Sequence, residues 1–261
     1  MMNPQPNQKT PSYLLIKGLV RKANDQSIVG RSDDPINWSL PFSPPGWLSQ
    51  RQYIQMVRNL ICGEEATVQA CKILQSRLGP GLYYDFLETQ INDEIHHAKL
   101  YHQYLDLLAD DIEPSSGWHE VLEKCLNSHT TVVELILAFH ILLEGEAVFL
   151  QKLIGEYISC PLFADINNKI RNDEARHVAF GRIMLPPLSA QLSAREKKKL
   201  MLWAEDIWFA SALALVAEYF DPGAVQPDIL DQTLRARWLQ QEDILINLGL
   251  MNPGLMNPGM S

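Results

Sequence analysis

The chain has 261 residues, 46% of them hydrophobic, and a formal net charge of −9 from 31 acidic and 22 basic residues. That length and apolar content suit one large core, and the acidic balance argues against nucleic acid as a partner. No apolar run approaches the ~20 residues needed to cross a bilayer, and the polar start MMNPQPNQKT is no signal peptide, so no membrane span is expected and the cytoplasm is the default location.

Residues 1–11 read as disordered, and Tyr13 to Val20 as a short helix or an arm over the core. Between Asp33 and Trp47, four prolines and two tryptophans exclude regular helix and predict an ordered strap. A helix is expected from about Trp47 to the break Gly79-Pro80-Gly81, and a second from Leu82 to Ile112. After a short piece over Trp118–Asn127, a third long helix covers Thr130–Tyr157. Its stretch VVELILAFHILLEGEAVFL is apolar on nearly every side, which marks it as central. The fourth runs from Leu162 to Leu185 and should stop at Pro186-Pro187. Ser193 and Glu196 form a capping box that opens a fifth helix to Tyr219, and a last one spans Pro227–Asn247. Nothing demands a strand. The division expected is an arm and strap over 1–46, a helical domain over 47–247, and a flexible tail over 248–261. Cys62, Cys71, Cys125 and Cys160 lack C-x-x-C spacing and read as reduced core residues.

Two segments carry the chemistry. Asn92-Asp93-Glu94-Ile95-His96-His97 and Asn172-Asp173-Glu174-Ala175-Arg176-His177 share the pattern N-D-E-x-x-H and lie 80 residues apart, and Glu64 and Glu144 keep the same offset. A Glu and a His three apart project from one face of a helix, so each motif aims a carboxylate and an imidazole at one point. In each half the lone Glu precedes the motif Glu by the same step. About 15 residues out along a helix, roughly 22 Å at ~1.5 Å per residue, and an equal return bring the two level. Six convergent groups follow: Glu64, Glu94, His97, Glu144, Glu174 and His177. Four carboxylates and two imidazoles suit two neighbouring Fe or Mn ions better than one zinc. This ligand set is the one stated generally for di-iron and di-manganese helical bundles.

The offset also chooses between adjacent acids, because Glu65 corresponds to Gly145 and Glu146 to Ala66. Glu65 is then a surface or interface acid, whereas Glu146, inside the apolar helix, either lines a substrate cavity or adds a ligand. Asp93 and Asp173 fit as carboxylates that orient the imidazole of the opposite motif. Tyr101 lies one turn beyond His97 on the same face, where it is either redox-active or a packing residue. His140 shares a face with Glu144 as a core hydrogen-bonder or a seventh ligand. His96, His102, His119 and His129 read as surface or capping residues.

On Gly63-Glu64-Glu65-Ala66, Glu94-x-x-His97-x-x-x-Tyr101, Leu143-Glu144-Gly145 and the run Asp173 to Gly181, the chain resembles the ferritin-like di-iron carboxylate superfamily. Within it, the similarity is to the branch holding the ribonucleotide reductase small subunit and the ligand-binding oxidases. The resemblance implies an all-α, ferritin-like antiparallel four-helix bundle with additional C-terminal helices. It makes the six residues metal ligands and the two aspartates their outer partners, and it puts Tyr101 where the reductase subunit keeps a radical tyrosine. The valine–tyrosine crosslink of the oxidases corresponds here to Thr67 and Phe139, which cannot form it. The expected activity is an O2-dependent oxidase or oxygenase using two Fe ions, or Mn/Fe, on a small, hydrophobic organic substrate. An electron donor such as a reductase or ferredoxin, and a homodimer, complete the expectation. The alternatives are a radical-generating subunit of a reductase-like enzyme and ferritin-type iron oxidation and storage.

Overall fold

The computed structural model describes residues 10–33, 36–108, 113, 115–219 and 227–250, and among these there is no strand. Helix α1 spans Pro11–Asp33, well beyond the short piece expected, and packs against the later helices α3 (Leu82–Leu105) and α7 (Pro161–Ser189) with Ile16 fully buried. The strap that follows is stitched to the chain around residue 160. Asn37 N–H donates to Asp165 Oδ2 (3.1 Å), Ser43 N–H to Cys160 Sγ (3.4 Å), and Trp47 Nε1 to the Tyr157 carbonyl (3.4 Å).

Helix α2, Gln50–Leu78, begins on a reciprocal cap. Ser49 Oγ accepts from Gln52 N–H (3.2 Å) while Gln52 Oε1 accepts from Ser49 N–H (3.0 Å), which satisfies two donors that a helix start leaves unpaired. It ends at Gly79, whose φ of 70° is one that a side chain disfavours, and the tight turn through Gly81 sends α3 back antiparallel along α2. Helix α3 stops at Leu105 instead of Ile112. Leu107 and Leu108 close tight turns onto the Tyr104 and Leu105 carbonyls, and Leu108 is buried with its own carbonyl taken by Gln50 Nε2.

After α4 (Ser116–Cys125), a Thr131–Glu134 capping box opens α5 (Val132–Leu135). The continuous helix expected here is interrupted. Ile136–Leu143 is π-helical, with Glu144 N–H bonded to the carbonyl of Phe139 five residues back, before α6 resumes over Glu144–Tyr157. A π turn carries an extra residue, which shifts the side chains that follow it, and such turns concentrate at functional sites. Gly181 on α7 gives this turn its room, since a Cβ there would lie 2.6 Å from His140 Cβ.

Helix α7 runs through Pro186 and Pro187 to Ser189, contrary to the stop expected at the prolines. They fall in its last turn, which is closed by Ala190 N–H on the Pro186 carbonyl, with the Ser189 hydroxyl in reach of both Pro186 O and Leu248 O. Helices α8 (Ala194–Tyr219) and α9 (Pro227–Asn247) follow, and α8 packs on α4 and on the π turn. The chain beyond α9 turns at Gly249 and buries Leu250, and the repeated Met-Asn-Pro-Gly lies outside the described residues.

Four helical runs, α2, α3, α5 to α6, and α7, each cross two apolar clusters with a polar level between them. Along α3, Tyr83, Phe86, Leu87 and Ile91 belong to one cluster and Leu100, Tyr101 and Tyr104 to the other, with Glu94 and His97 in between. Glu64 on α2, Glu144 at the start of α6, and Glu174 and His177 on α7 sit at the same level.

Candidate metal centre

At that level the six predicted groups come together as two overlapping quartets. Glu64, Glu94, His97 and Glu174 form one, and Glu94, Glu144, Glu174 and His177 the other, each offering atoms within 4.8 Å of one another. Glu94 and Glu174 belong to both. Glu94 turns Oε2 to His97 Nδ1 (3.2 Å) and Oε1 to His177 Nδ1 (3.1 Å), while Glu174 turns Oε1 to His97 Nδ1 (3.6 Å) and Oε2 to His177 Nδ1 (3.4 Å). Of the two rings, Glu64 Oε2 approaches that of His97 (3.5 Å) and Glu144 Oε2 that of His177 (4.0 Å).

All six are at most 8% exposed. Burying four acids is costly unless cations meet them. Burial and the neighbouring carboxylates push Glu64 and Glu144 well above the usual carboxyl range, and burial with Glu94 raises Glu174. Burial also acts to raise Glu94, but His177 and His97 beside it hold it well below. Glu144 Oε2, Glu174 Oε2 and His177 Nδ1 are buried with no hydrogen-bond partner. Orphaned acceptors and a ring nitrogen converging with four carboxylates and two imidazoles are a donor set that two cations would satisfy, so the residues fit a metal pair.

The ring nitrogens facing away from the centre are tied across the motifs. His97 Nε2 lies 3.3 Å from Asp173 Oδ2, and His177 Nε2 lies 3.3 Å from Asp93 Oδ2. Burial opposes protonation of both rings. Asp173, Glu64 and Glu94 nevertheless raise His97 well above the ordinary range, and Glu94 and Asp93 do so for His177. Arg176 joins the two aspartates, donating through Nη1 to Asp173 (2.8 Å) and through Nη2 to Asp93.

The sequence reading did not single out Arg176, nor Gln90, whose Nε2 donates to Glu144 Oε1 (2.6 Å) and Glu94 Oε1 (3.1 Å). Both are buried and stand within about one turn of one of the six groups, and that is the signal by which they could have been found. His140 is not in either quartet; its Nε2 lies 3.0 Å from Gln90 Oε1, and burial with His177 nearby drops it to about 3, so the ring is neutral. Glu146 lies outside both quartets. Two residues past Glu144 it faces the other way, accepting from Trp208 Nε1 (3.0 Å), Gln241 Nε2 (2.5 Å) and Arg237 Nη2 (3.1 Å) on α8 and α9.

Tyr101 is fully buried and donates to Asn167 Oδ1 (3.0 Å), and burial with the charges of Glu64 and Glu174 pushes its phenol well above the ordinary value. Thr67 is buried with its hydroxyl on the Gly63 carbonyl, and Phe139 lies in the core. Cys62 is half-buried beside His119 instead of in the core, His119 pairs with Glu123, and His102 lies 3.8 Å from exposed Glu65. Two surface hollows of about 370 and 380 Å³ are lined by none of the six.

No protein-family model and no curated protein matches the sequence. Solved structures do. One variant of an R2-like ligand-binding oxidase with aerobically reconstituted Mn/Fe cofactor superposes with a TM-score of 0.59 at 16% identity, over 91% of this chain and 94% of that one. Another, with anaerobically reconstituted Mn/Fe cofactor, gives 0.56 at 17% identity over the same shares. The chain has the ferritin-like fold of these oxidases. That correspondence holds along nearly the whole length of both proteins, so the helices that carry the six groups belong to the shared architecture. Among the described residues no helix is long and apolar enough to cross a membrane.

Proposed function

We propose that the chain is a di-metal carboxylate oxidoreductase that uses O2 to oxidise a small organic substrate. The observation that carries this reading is the sharing of Glu94 and Glu174 between two buried quartets, which suits two adjacent ions bridged by carboxylates. Glu64, Glu94, Glu174 and His97 would hold one ion, and Glu94, Glu144, Glu174 and His177 the other. The solved relatives carry Mn/Fe, and an Fe/Fe or Mn/Fe pair held here would supply the redox capacity to activate O2. Asp93 and Asp173 hold the Nε2 protons of the two histidines and so keep each Nδ1 aimed inward. The apolar clusters above and below exclude water, which favours a hydrophobic substrate. A reductase or ferredoxin as electron donor, and a homodimer, fit this reading.

Loading with Fe(II) without oxygen, metal analysis, and optical spectra on O2 exposure test it. About two metals per chain are expected from the two quartets, with Glu94→Ala and Glu174→Ala each losing at least one. Two metals retained in both variants would sink the reading. The buried phenol of Tyr101, beside Glu64 and Glu174, favours a second reading in which the chain generates a radical for a partner enzyme. A radical signal formed on oxygenation and lost in Tyr101→Phe would support that one; turnover of substrate without such a signal would support the oxidase.

A further inference from the structure

The 80-residue offset relates the two halves at each of the six groups and at the two aspartates behind the histidines, but it fails at two other buried polar residues. Gln90, one turn before Glu94, corresponds to Ile170, and His140, one turn before Glu144, corresponds to Leu60. Gln90, His140 and Ile170 are all fully buried, so the difference lies inside the centre and not on the surface.

The Gln90 amide serves one half only. Its Nε2 donates to Glu144 Oε1 (2.6 Å) and to Glu94 Oε1 (3.1 Å), and Glu94 Oε1 is the oxygen that faces His177, whereas Oε2 faces His97. A carboxylate only accepts, so the amide nitrogen must point at these oxygens and the amide oxygen away from them. That oxygen is met by His140 Nε2 at 3.0 Å, which fixes the proton of the neutral ring on Nε2 and prevents the amide from turning over. In the other half, Ile170 offers no donor to Glu64 or Glu174.

A donated hydrogen bond draws charge from a carboxylate oxygen and makes it a poorer base and a poorer metal ligand. It also occupies Glu144 Oε1, leaving that residue Oε2 alone, the orphaned atom directed at His177. We infer that Gln90, locked by His140, is a positioning residue that makes the two cation positions unequal, the one beside His97 binding a divalent ion more tightly than the one beside His177. The inference rests on the di-metal reading and adds to it an order of filling, with the means for the chain to hold two different metals in defined places.

Mn(II) titration of the full chain under anaerobic conditions, with free aqueous Mn(II) counted by its paramagnetic resonance, tests this without any assay of turnover. Two steps are expected, with affinities separated on the order of 10-fold or more. The tighter step should vanish in His97→Ala and persist in His177→Ala. Gln90→Ile, which copies the residue of the other half, should close the gap by strengthening the weaker step. Ile170→Gln provides a separate check and should weaken the tighter step. Equal affinities in the parent chain, a tight step lost with His177 instead of His97, or a gap unchanged in both Gln90→Ile and Ile170→Gln would overturn the inference while leaving a di-metal centre intact. Fewer than two ions bound by the parent chain would overturn the di-metal reading itself, and the inference with it.

Discussion

Asp173 on α7 holds the ring of His97 on α3 through a 3.3 Å contact to Nε2, so a residue of the second motif orients the imidazole of the first. The reverse pairing, Asp93 with His177, completes a cross-brace, and the Arg176 guanidinium lies across both aspartates at 3% exposure. Removing the cation would leave two largely buried carboxylates facing each other. Arg176→Met should therefore lower the stability of the metal-free protein by about 3–5 kcal/mol, as breaking a buried ion pair does. Arg176→Lys keeps the charge but not the fork, and should recover only part of the loss. Denaturant unfolding of the three proteins decides it. A change within 0.5 kcal/mol for Arg176→Met, roughly what an ordinary surface substitution gives, would refute the brace.

The metal-free centre should also set how stability varies with pH. Glu64, Glu144 and Glu174 are raised in the folded state, and so are His97 and His177. Groups raised on folding bind more protons folded than unfolded. Their contribution is complete below the unfolded values, about 4.3 for Glu and about 6.5 for His, and is lost as pH rises through the folded ones. Glu94 and Asp173 are held low, so their contribution is present above the ordinary carboxyl range and lost only in stronger acid. From roughly pH 5 upward the raised set governs, and urea unfolding of the metal-free protein should show stability falling with pH. Bound metal replaces those protons, so the loaded protein should lose this slope. A metal-free protein that gained stability between neutral and alkaline pH would contradict it.

The convergence of the six groups was legible because each E-x-x-H fixes a face and the 80-residue offset removes the ambiguity between Glu64 and Glu65, and between Glu144 and Glu146. The cross-pairing of Asp93 and Asp173 was legible for the same reason, since a metal-facing imidazole needs an acceptor behind it. The π turn was not. A run as uniformly apolar as Ile136–Leu143 has no period to betray an extra residue per turn, and the hydrogen-bond register is decided by how closely α7 approaches at Gly181. The early end of α3 and the passage of α7 through two prolines follow from tertiary partners, namely Gln50 on Leu108 and the segment after α9 on Ser189. The partners of Glu146 were not legible, because an acid inside an apolar helix shows none until α8 and α9 are folded against it.

That docking of the C-terminal helices yields a prediction of its own. Glu146 collects Trp208, Gln241 and Arg237, and the Arg237 guanidinium in turn lies 4.0 Å above the Phe149 ring. Charged acceptors of this kind contribute about 2 kcal/mol. Glu146→Ala should lower the unfolding free energy by that order and raise amide exchange along α9, with the number of ions bound unchanged. A drop in ion count with normal stability would return Glu146 to the centre.

Gly181 meets a stringent geometric demand where α7 passes the π turn. In the middle of a helix, Gly→Ala ordinarily stabilises by about 0.5–1 kcal/mol, and Gly145→Ala, whose Cβ would meet nothing within 4 Å, should behave in this way. At Gly181 the new Cβ would meet His140 Cβ at 2.6 Å, Ile141 Cδ1 at 3.0 Å and the His140 carbonyl at 3.2 Å. The first and third of these contacts leave no flexible chain end to move aside. Overpacking of about 1–3 kcal/mol therefore outweighs the helix gain, and Gly181→Ala should destabilise. The strain falls on the π turn that positions His140 and Glu144, so the same variant should weaken ion binding beside His177 more than beside His97. Denaturant midpoints and Mn(II) titration of the two glycine variants measure both effects, and a Gly181→Ala protein as stable as Gly145→Ala would show that α7 does not hold the turn in place.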